Sequence, residues 1–303
     1  MSLLQRLSVV CIGAVCLLAI DGPSTAQVSS APAANRFGFV DDLYITNPVA
    51  LTRMREAGLG WASYYLYWNR ANPAPGVYDW SGPDFEIAEM RNAGLNVFVH
   101  IVWPPAWTTG VSYPNDLVPL FCFDDTNPPT NVKNHPDCHD PTKVPTQAAV
   151  REFVRQVTNR YKHAVRAFGI GAEAHSLVFW QGTIEQFVGL MLRPAYEEIK
   201  AIDPSIIVVG PDEDLEGSLS QLLSFEASYG RWADVLAFHL LKHSLAPNQT
   251  AAQRLDTQLK PIVDQLGRGR PLWLTEVGFL SPNAAGNTIA GQWLAETLAA
   301  IRA

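Results

Sequence analysis

From Arg36 to the last residue, short apolar or β-branched runs alternate with segments of helical period, and this alternation most limits what the chain can fold into. The runs are strand-sized: Phe37–Val40, Trp61–Leu66, Asn96–Val102, Phe168–Ala172, Ile206–Gly210, Asp234–His239 and Leu272–Glu276. Between them the pattern predicts helices. Pro48–Ala57 can be capped by Asn47, with Pro48 suited to the first turn. Asp84–Asn92 ends at Gly94, and a helix capped by Thr146 presents Val150, Phe153, Val154, Val157, Tyr161 and Val165 at spacings of three and four. Ile184–Ile202 contains Pro194 and should kink or restart there. Further helices are expected at about Leu215–Ser228, Ala251–Leu266 and Thr288–Arg302. Strand–helix units repeated in one array are the signature of a parallel sheet covered by helices.

Seven units with no linker between them make one domain, residues 27–303, and point to an α/β fold of the (β/α)8 TIM-barrel type. A doubly wound sheet is the competing fold. It would carry a Gly-rich turn after the first strand, and Phe39-Val40-Asp41-Asp42-Leu43 is not one. No eighth strand follows Thr288–Arg302, although closing the barrel requires one. The expectation is a barrel lacking its eighth strand, with open edges at the first and seventh.

The first residues stand outside this array. Met1–Ala26 has a basic start at Arg6, an apolar run from Leu7 to Ile20 and a small-residue end at Ser24-Thr25-Ala26, the plan of a secretory signal peptide. The apolar run is too short for a spanning helix, which needs about 20 residues. The mature chain is therefore expected to be secreted or periplasmic, free of the membrane. Cys11 and Cys16 leave with the signal. Cys122 and Cys138 remain in an oxidising compartment, where a disulfide would staple a Pro/Asp/Asn-rich loop and add about 3 kcal/mol in the entropic picture. A zinc cluster of Cys122, His135, Cys138 and His139 is the competing arrangement, but the short Cys-x2-4-Cys pair of structural zinc sites is missing, so no metal or other cofactor is expected. With 22 Lys and Arg against 29 Asp and Glu, the chain offers no cationic footprint for nucleic acid.

In a barrel, functional groups belong at the C-terminal ends of the strands. That position selects Glu173, His239 and Glu276. One carboxylate there reads as a structural ion pair. Two on different strands facing the same rim suit glycosidic cleavage, in which one carboxyl protonates the leaving oxygen and the other attacks the sugar carbon. Trp68, Trp103, Trp107 and Trp180 fall just after strands, where flat rings can stack on sugars or plug the barrel end. Trp61, Trp232 and Trp273 read as core. The acidic run Asp212-Glu213-Asp214 reads as a solvated loop on the same rim.

These segments resemble a family. "AGLGWASYYLYW" (Ala57–Trp68), "NPAPGVYDWSGPDFEIAEMRNAGLNVFVHIVWPPAW" (Asn72–Trp107), "RYKHAVRAFGIGAEAH" (Arg160–His175), "ADVLAFH" (Ala233–His239) and "PLWLTEVGF" (Pro271–Phe279) are similar, in order and spacing, to the retaining glycoside hydrolases of the (β/α)8 clan, such as β-xylosidases, cellulases and β-galactosidases. The resemblance implies Glu173 as general acid/base, Glu276 as nucleophile and His239 in the substrate pocket, with an oligo- or polysaccharide substrate. The sequence departs from the clan at informative places. The clan's Asn before the acid/base is Ala172, the Pro after it is Ala174, the Arg of the second strand is Ser63, and the aromatic two residues beyond His239 is Leu241. His175 or Tyr64 would then have to supply the missing contacts. The alternative expectation is a catalytically impaired barrel that binds carbohydrate.

Overall fold

The computed structural model describes residues 38–40, 48–56, 58–109, 144–174, 180, 182–214, 231–241 and 271–278, with isolated positions at 250, 253, 256 and 257. Seven strands form one parallel sheet in chain order: β1 (Gly38–Val40), β2 (Trp61–Tyr67), β3 (Asn96–Val102), β4 (Val165–Ile170), β5 (Ile207–Asp214), β6 (Val235–Leu241) and β7 (Leu272–Gly278). Every neighbouring pair is parallel.

The sheet curls on itself. Laid flat, β2 and β7 would stand five strand spacings apart, about 24 Å. Instead the rings of Trp61 on β2 and Trp273 on β7 meet edge to face with centroids 5.3 Å apart, and Phe98 on β3 meets Trp273 at 5.8 Å. Strand alternation sorts the side chains into two layers. Trp61, Phe98, Ala167, Val209, Val235, Ala237 and Trp273 fill the interior of the curl. Their neighbours along each strand, among them Leu66, Val97, Val99, Ile101, Phe168, Ile170, Val208, Leu236, Phe238 and Leu274, face the helices. Both faces are dry, as a parallel sheet under a coat of helices requires. The α/β barrel read from the alternation is the architecture observed.

The helices are α1 (Pro48–Glu56), α2 (Trp68–Ala71), α3 (Ser81–Asn92), α4 (Ala106–Thr109), α5 (Gln147–Tyr161), α6 (Ile184–Gln186) and α7 (Arg193–Ile202). Helix α5 is capped by Thr146, whose side chain accepts from the Ala149 N–H, and it buries Val150, Phe153, Val154, Val157 and Tyr161. Val165, expected on the same face, instead opens β4. Between α6 and α7 the chain widens into a π-helical turn, Phe187–Leu192, and restarts with Pro194 in the first turn of α7. A wider turn before the proline accommodates a residue that has no N–H to donate and whose ring crowds the turn before it.

Other boundaries moved for local reasons. Strand β4 runs three residues ahead of its expected start and ends before Gly171, which sits at φ 72° with no room for a Cβ beside the Phe187 ring. Gly169 is equally constrained: a Cβ there would come within 3.0 Å of the His100 ring. The two glycines that make this strand look weak in sequence are the ones that let rings close over it. Strand β5 continues through the acidic run instead of stopping at Gly210. The expected helices at Leu215–Ser228, Ala251–Leu266 and Thr288–Arg302, the signal peptide, Cys122, Cys138, His175 and the region of an eighth strand lie outside the described residues, apart from the isolated positions above.

Candidate active site

Strand alternation carries a line of polar groups up the interior to the C-terminal rim. On β3, Phe98 fills the interior and His100, two residues on, is fully buried above it. On β2 the same face carries Trp61, Ser63 and then Tyr65, whose ring stacks on His100 at 4.6 Å. On β6, Val235 and Ala237 lead to His239, 1% exposed.

Two irregularities then override simple alternation. On β7, Trp273 and Thr275 face inward, so an unbroken strand would turn Glu276 outward. The register slips between β6 and β7, where Phe238 pairs with Leu274 but His239 pairs with Glu276. This bulge at Thr275 turns Glu276 back to the interior, the re-aiming that bulges beside active sites perform. On β5 a matching slip lies between Pro211 and Glu213, and the extra residue, Asp212, takes a left-handed backbone at φ 61°. Asp212 and Glu213 are both fully buried, so the expected solvated loop is corrected. The bulge folds this run into the end of β5, where the His100 and His239 rings stand beside Asp212.

The result is a closed set of contacts around His239. Its Nδ1 lies 2.8 Å from Glu173 Oε1 and 3.7 Å from Glu276 Oε2. Its Nε2 lies 3.3 Å from Asp212 Oδ1, and Asp212 Oδ2 lies 3.0 Å from His100 Nδ1; both are ion-pair distances whose approach falls short of hydrogen-bond alignment. The Tyr65 hydroxyl donates to Glu276 Oε1, and the Thr275 hydroxyl donates to Asp212 Oδ1. Glu173 and Glu276 keep side-chain exposures of 19% and 21%. The two glutamates and Tyr65 are thus the partly open members of a cluster in which His100, Asp212, His239 and Thr275 are buried.

Charge in this cluster is set by competition between burial and partners. Burial would push the Asp212 carboxyl up, but the His239 and His100 rings beside it hold it far below the ordinary carboxylate range. Burial would push His239 down, yet Glu276, Asp212 and Glu173 raise it well above an ordinary histidine. The Tyr65 hydroxyl is driven well up by burial and then by the negative field of Glu276 and Asp212, so it stays a donor. An imidazole raised in the fold above its unfolded value of about 6.5 adds stability that is fully present below that value and lost as pH rises through the folded one. The melting temperature of the native protein is therefore expected to fall on passing from neutral to alkaline pH. In His239→Gln that component of the fall should be absent, which calorimetry across the pH series checks.

Among the described residues no group of three or more His, Cys, Asp and Glu side chains is arranged to hold a metal ion. Three residues of the rim have strained left-handed backbones without being glycine: Trp103 (φ 54°), Glu173 (φ 42°) and Asp212 (φ 61°), at the ends of the adjacent strands β3, β4 and β5. Such strain persists where surrounding structure over-determines it.

Of the residues singled out in sequence, Glu173, His239 and Glu276 come together. Trp103 lies at the rim, half-buried, with Tyr67 stacked on it at 4.8 Å. Trp107 is also half-buried, its indole N–H donating to the Asn72 carbonyl oxygen. Trp68 and Trp180 stand elsewhere: they are 1% and 4% exposed and pack under the helices, Trp68 flat on Phe153 and Trp180 edge-on to Phe187. The reason is the short helix α2, which turns Trp68 outward from the rim onto α5. Tyr64 also faces the helix layer, so the hydroxyl available inside is that of Tyr65. Tyr65, His100 and Thr275 are not singled out by the sequence, which places Asp212 on the rim in a solvated loop. A histidine inside an apolar strand and a tyrosine two positions after Ser63 on the same face were the available signals for two of them.

No family model matches the sequence, and no curated protein matches it. Solved structures do match. A GH39 β-xylosidase from Caulobacter crescentus aligns with a TM-score of 0.63 at 15% identity, over 96% of this chain and 63% of that one. A family 39 glycoside hydrolase from the gut symbiont Bacteroides cellulosilyticus WH2 gives 0.61 at 16%, over 88% and 53%. Xylanase 10B from Thermotoga maritima gives 0.52 at 13%, over 87% and 76%. The chain thus spans less than two thirds of the length of the first two. The likeness is one of fold, the α/β barrel.

Proposed function

We propose that this chain is an exported glycoside hydrolase that cleaves β-O-glycosidic bonds with retention, Glu173 serving as acid/base and Glu276 as nucleophile. The observation that carries this reading is the approach of both carboxylates, from β4 and β7, to the single Nδ1 of His239 at 2.8 and 3.7 Å. Their two oxygens can be no farther apart than the sum of those distances, and the spacing of about 5–5.5 Å that double displacement uses fits within that bound. In the first step Glu173 gives its proton to the leaving oxygen while Glu276 bonds to the anomeric carbon. In the second, Glu173 takes a proton from water, whose oxygen displaces Glu276. Tyr65 holds one oxygen of Glu276, leaving the other to face the sugar. Trp103 and Trp107 are the rim aromatics against which a sugar ring would stack. Xylosidase and xylanase activities among the solved structures of this fold make β-xylosides the first substrates to try. Met1–Ala26 would direct export, and Cys122 and Cys138 would pair in the oxidising compartment.

A panel of aryl β-glycosides and β-linked oligosaccharides tests the reading. Turnover by the native protein is expected. Glu173→Ala should slow substrates with poor leaving groups far more than dinitrophenyl glycosides, because only the former need a proton. An equal effect on both classes would remove Glu173 from the acid role. The second reading, a barrel that binds carbohydrate without cleaving it, draws on Ser63, whose hydroxyl is buried without a hydrogen-bond partner among the described residues, and on the apolar Ala172 beside Glu173. Calorimetric affinity for xylo-, cello- or manno-oligosaccharides with no turnover would favour it.

A further inference from the structure

Asp212 touches both halves of the proposed machinery by different atoms. Its backbone carbonyl accepts the N–H of Glu173 at 2.9 Å. Both residues of that bond have left-handed backbones, so each strained residue helps hold the other. Its carboxylate, with no exposed surface, lies 3.3 Å from His239 Nε2, while the opposite nitrogen of that ring faces Glu173 and Glu276. Thr275, the bulge residue that re-aims Glu276, donates to the same Oδ1 that faces His239, while Oδ2 faces His100. A buried carboxylate so placed needs partners, and the His239 and His100 rings are within reach.

From this geometry we infer that Asp212 is a positioning residue for the Glu173 and Glu276 pair. Its carbonyl holds the backbone of Glu173, and its carboxylate holds the orientation and charge of the His239 ring that the two glutamates share. The inference rests on the glycosidase reading for its consequence in turnover, though not for the coupling between Asp212 and His239. The groups facing His239 are Glu173 from β4, Asp212 from β5 with Glu213 next along it, and Glu276 from β7. Tyr65 from β2 acts on it through Glu276, and His100 from β3 through Asp212. A ring nitrogen that carries a proton can hold both carboxylates at once, Glu173 at 2.8 Å and Glu276 at 3.7 Å. Without the charge of Asp212 the ring loses its proton at lower pH, and with that proton the contact that orders Glu173 and Glu276 at Nδ1.

The test is Asp212→Asn, which keeps the shape and the backbone carbonyl and removes the charge. In 15N-labelled native protein, with His239 assigned through bonds, NMR should show the ring still cationic well above pH 6.5. In Asp212→Asn its titration midpoint should drop by about one unit or more. On an aryl β-glycoside, kcat should fall roughly tenfold or more with KM little changed, and the alkaline limb of the pH profile should move acid-ward with the NMR midpoint. A merely structural residue would lower the melting temperature without moving either midpoint. An ordinary His239 midpoint in the native protein overturns the inference, and that measurement needs no variant to fold. An unchanged midpoint in Asp212→Asn overturns it too. If the NMR shift appears but the native protein cleaves no glycoside, the coupling stands and the glycosidase reading falls.

Discussion

Glu276→Ala is expected to lower the hydrolysis of an aryl β-glycoside by about 10⁴- to 10⁶-fold, the scale on which removal of a nucleophile acts. The bulge at Thr275 aims this carboxylate into the interior, Tyr65 donates to one of its oxygens, and His239 lies 3.7 Å from the other. Asp212 and Glu213 beside it have no exposed surface, and Glu173 is assigned to the proton. Because the side chain is 21% exposed, its loss should leave the protein folded, as circular dichroism would check. Two further observations separate a lost nucleophile from a lost shape. Azide added to Glu276→Ala should enter the vacated space, attack the anomeric carbon of an activated aryl β-glycoside and release the α-glycosyl azide, visible by proton NMR. Burst-phase labelling by a slow fluoroglycoside should trap a covalent adduct on Glu276 in the native protein. Native-like turnover by Glu276→Ala would remove Glu276 from the nucleophile role.

Phe153→Ala should be the most damaging single change to stability, about 3–5 kcal/mol. Phe153 is 1% exposed on α5, its ring stacked on Trp68 at 4.6 Å and on Trp80 at 6.1 Å. These rings join α5 to the turn after β2 and to the start of α3, so truncation opens a void between three elements that cannot all collapse into it. For a domain of this size the melting temperature should fall by about 10 °C. Denaturant titration with an unchanged m-value would confirm a loss of packing alone. Activity below the transition should persist, because Phe153 lies on the helix side of the sheet. A loss under 1 kcal/mol would mean that the aromatic layer is not what holds α5 to the barrel.

The parts of this molecule legible in sequence are those governed by local periodicity. Alternating apolar runs and helical segments give the strand order, and helix α5 is readable from its 3.6-residue spacing and its Thr146 cap. Carboxylates at strand ends mark Glu173 and Glu276, because an ionisable group after a buried strand must answer to something. Trp68 was misplaced because position after a strand does not say which way a ring turns. The four residues of α2 carry it outward onto Phe153. Asp212 was placed in water for a similar reason: three consecutive acids look solvated until histidines from two other strands, β3 and β6, are brought beside one of them.

Sequence by itself determined the barrel layers, since each strand's alternation needs only its own residues and the rule that apolar faces leave water. Only the tertiary structure decided the site. Glu276 faces inward through a register slip between β6 and β7, Asp212 through one between β5 and β6. Register is a property of two strands together, set by pairing and by the packing of both faces, and no single stretch of chain contains it. The charges follow from the same cause. His239 is pushed toward its cationic form, and Asp212 is held toward its ionised form out of water, because residues separated by tens of positions in the chain meet at one ring.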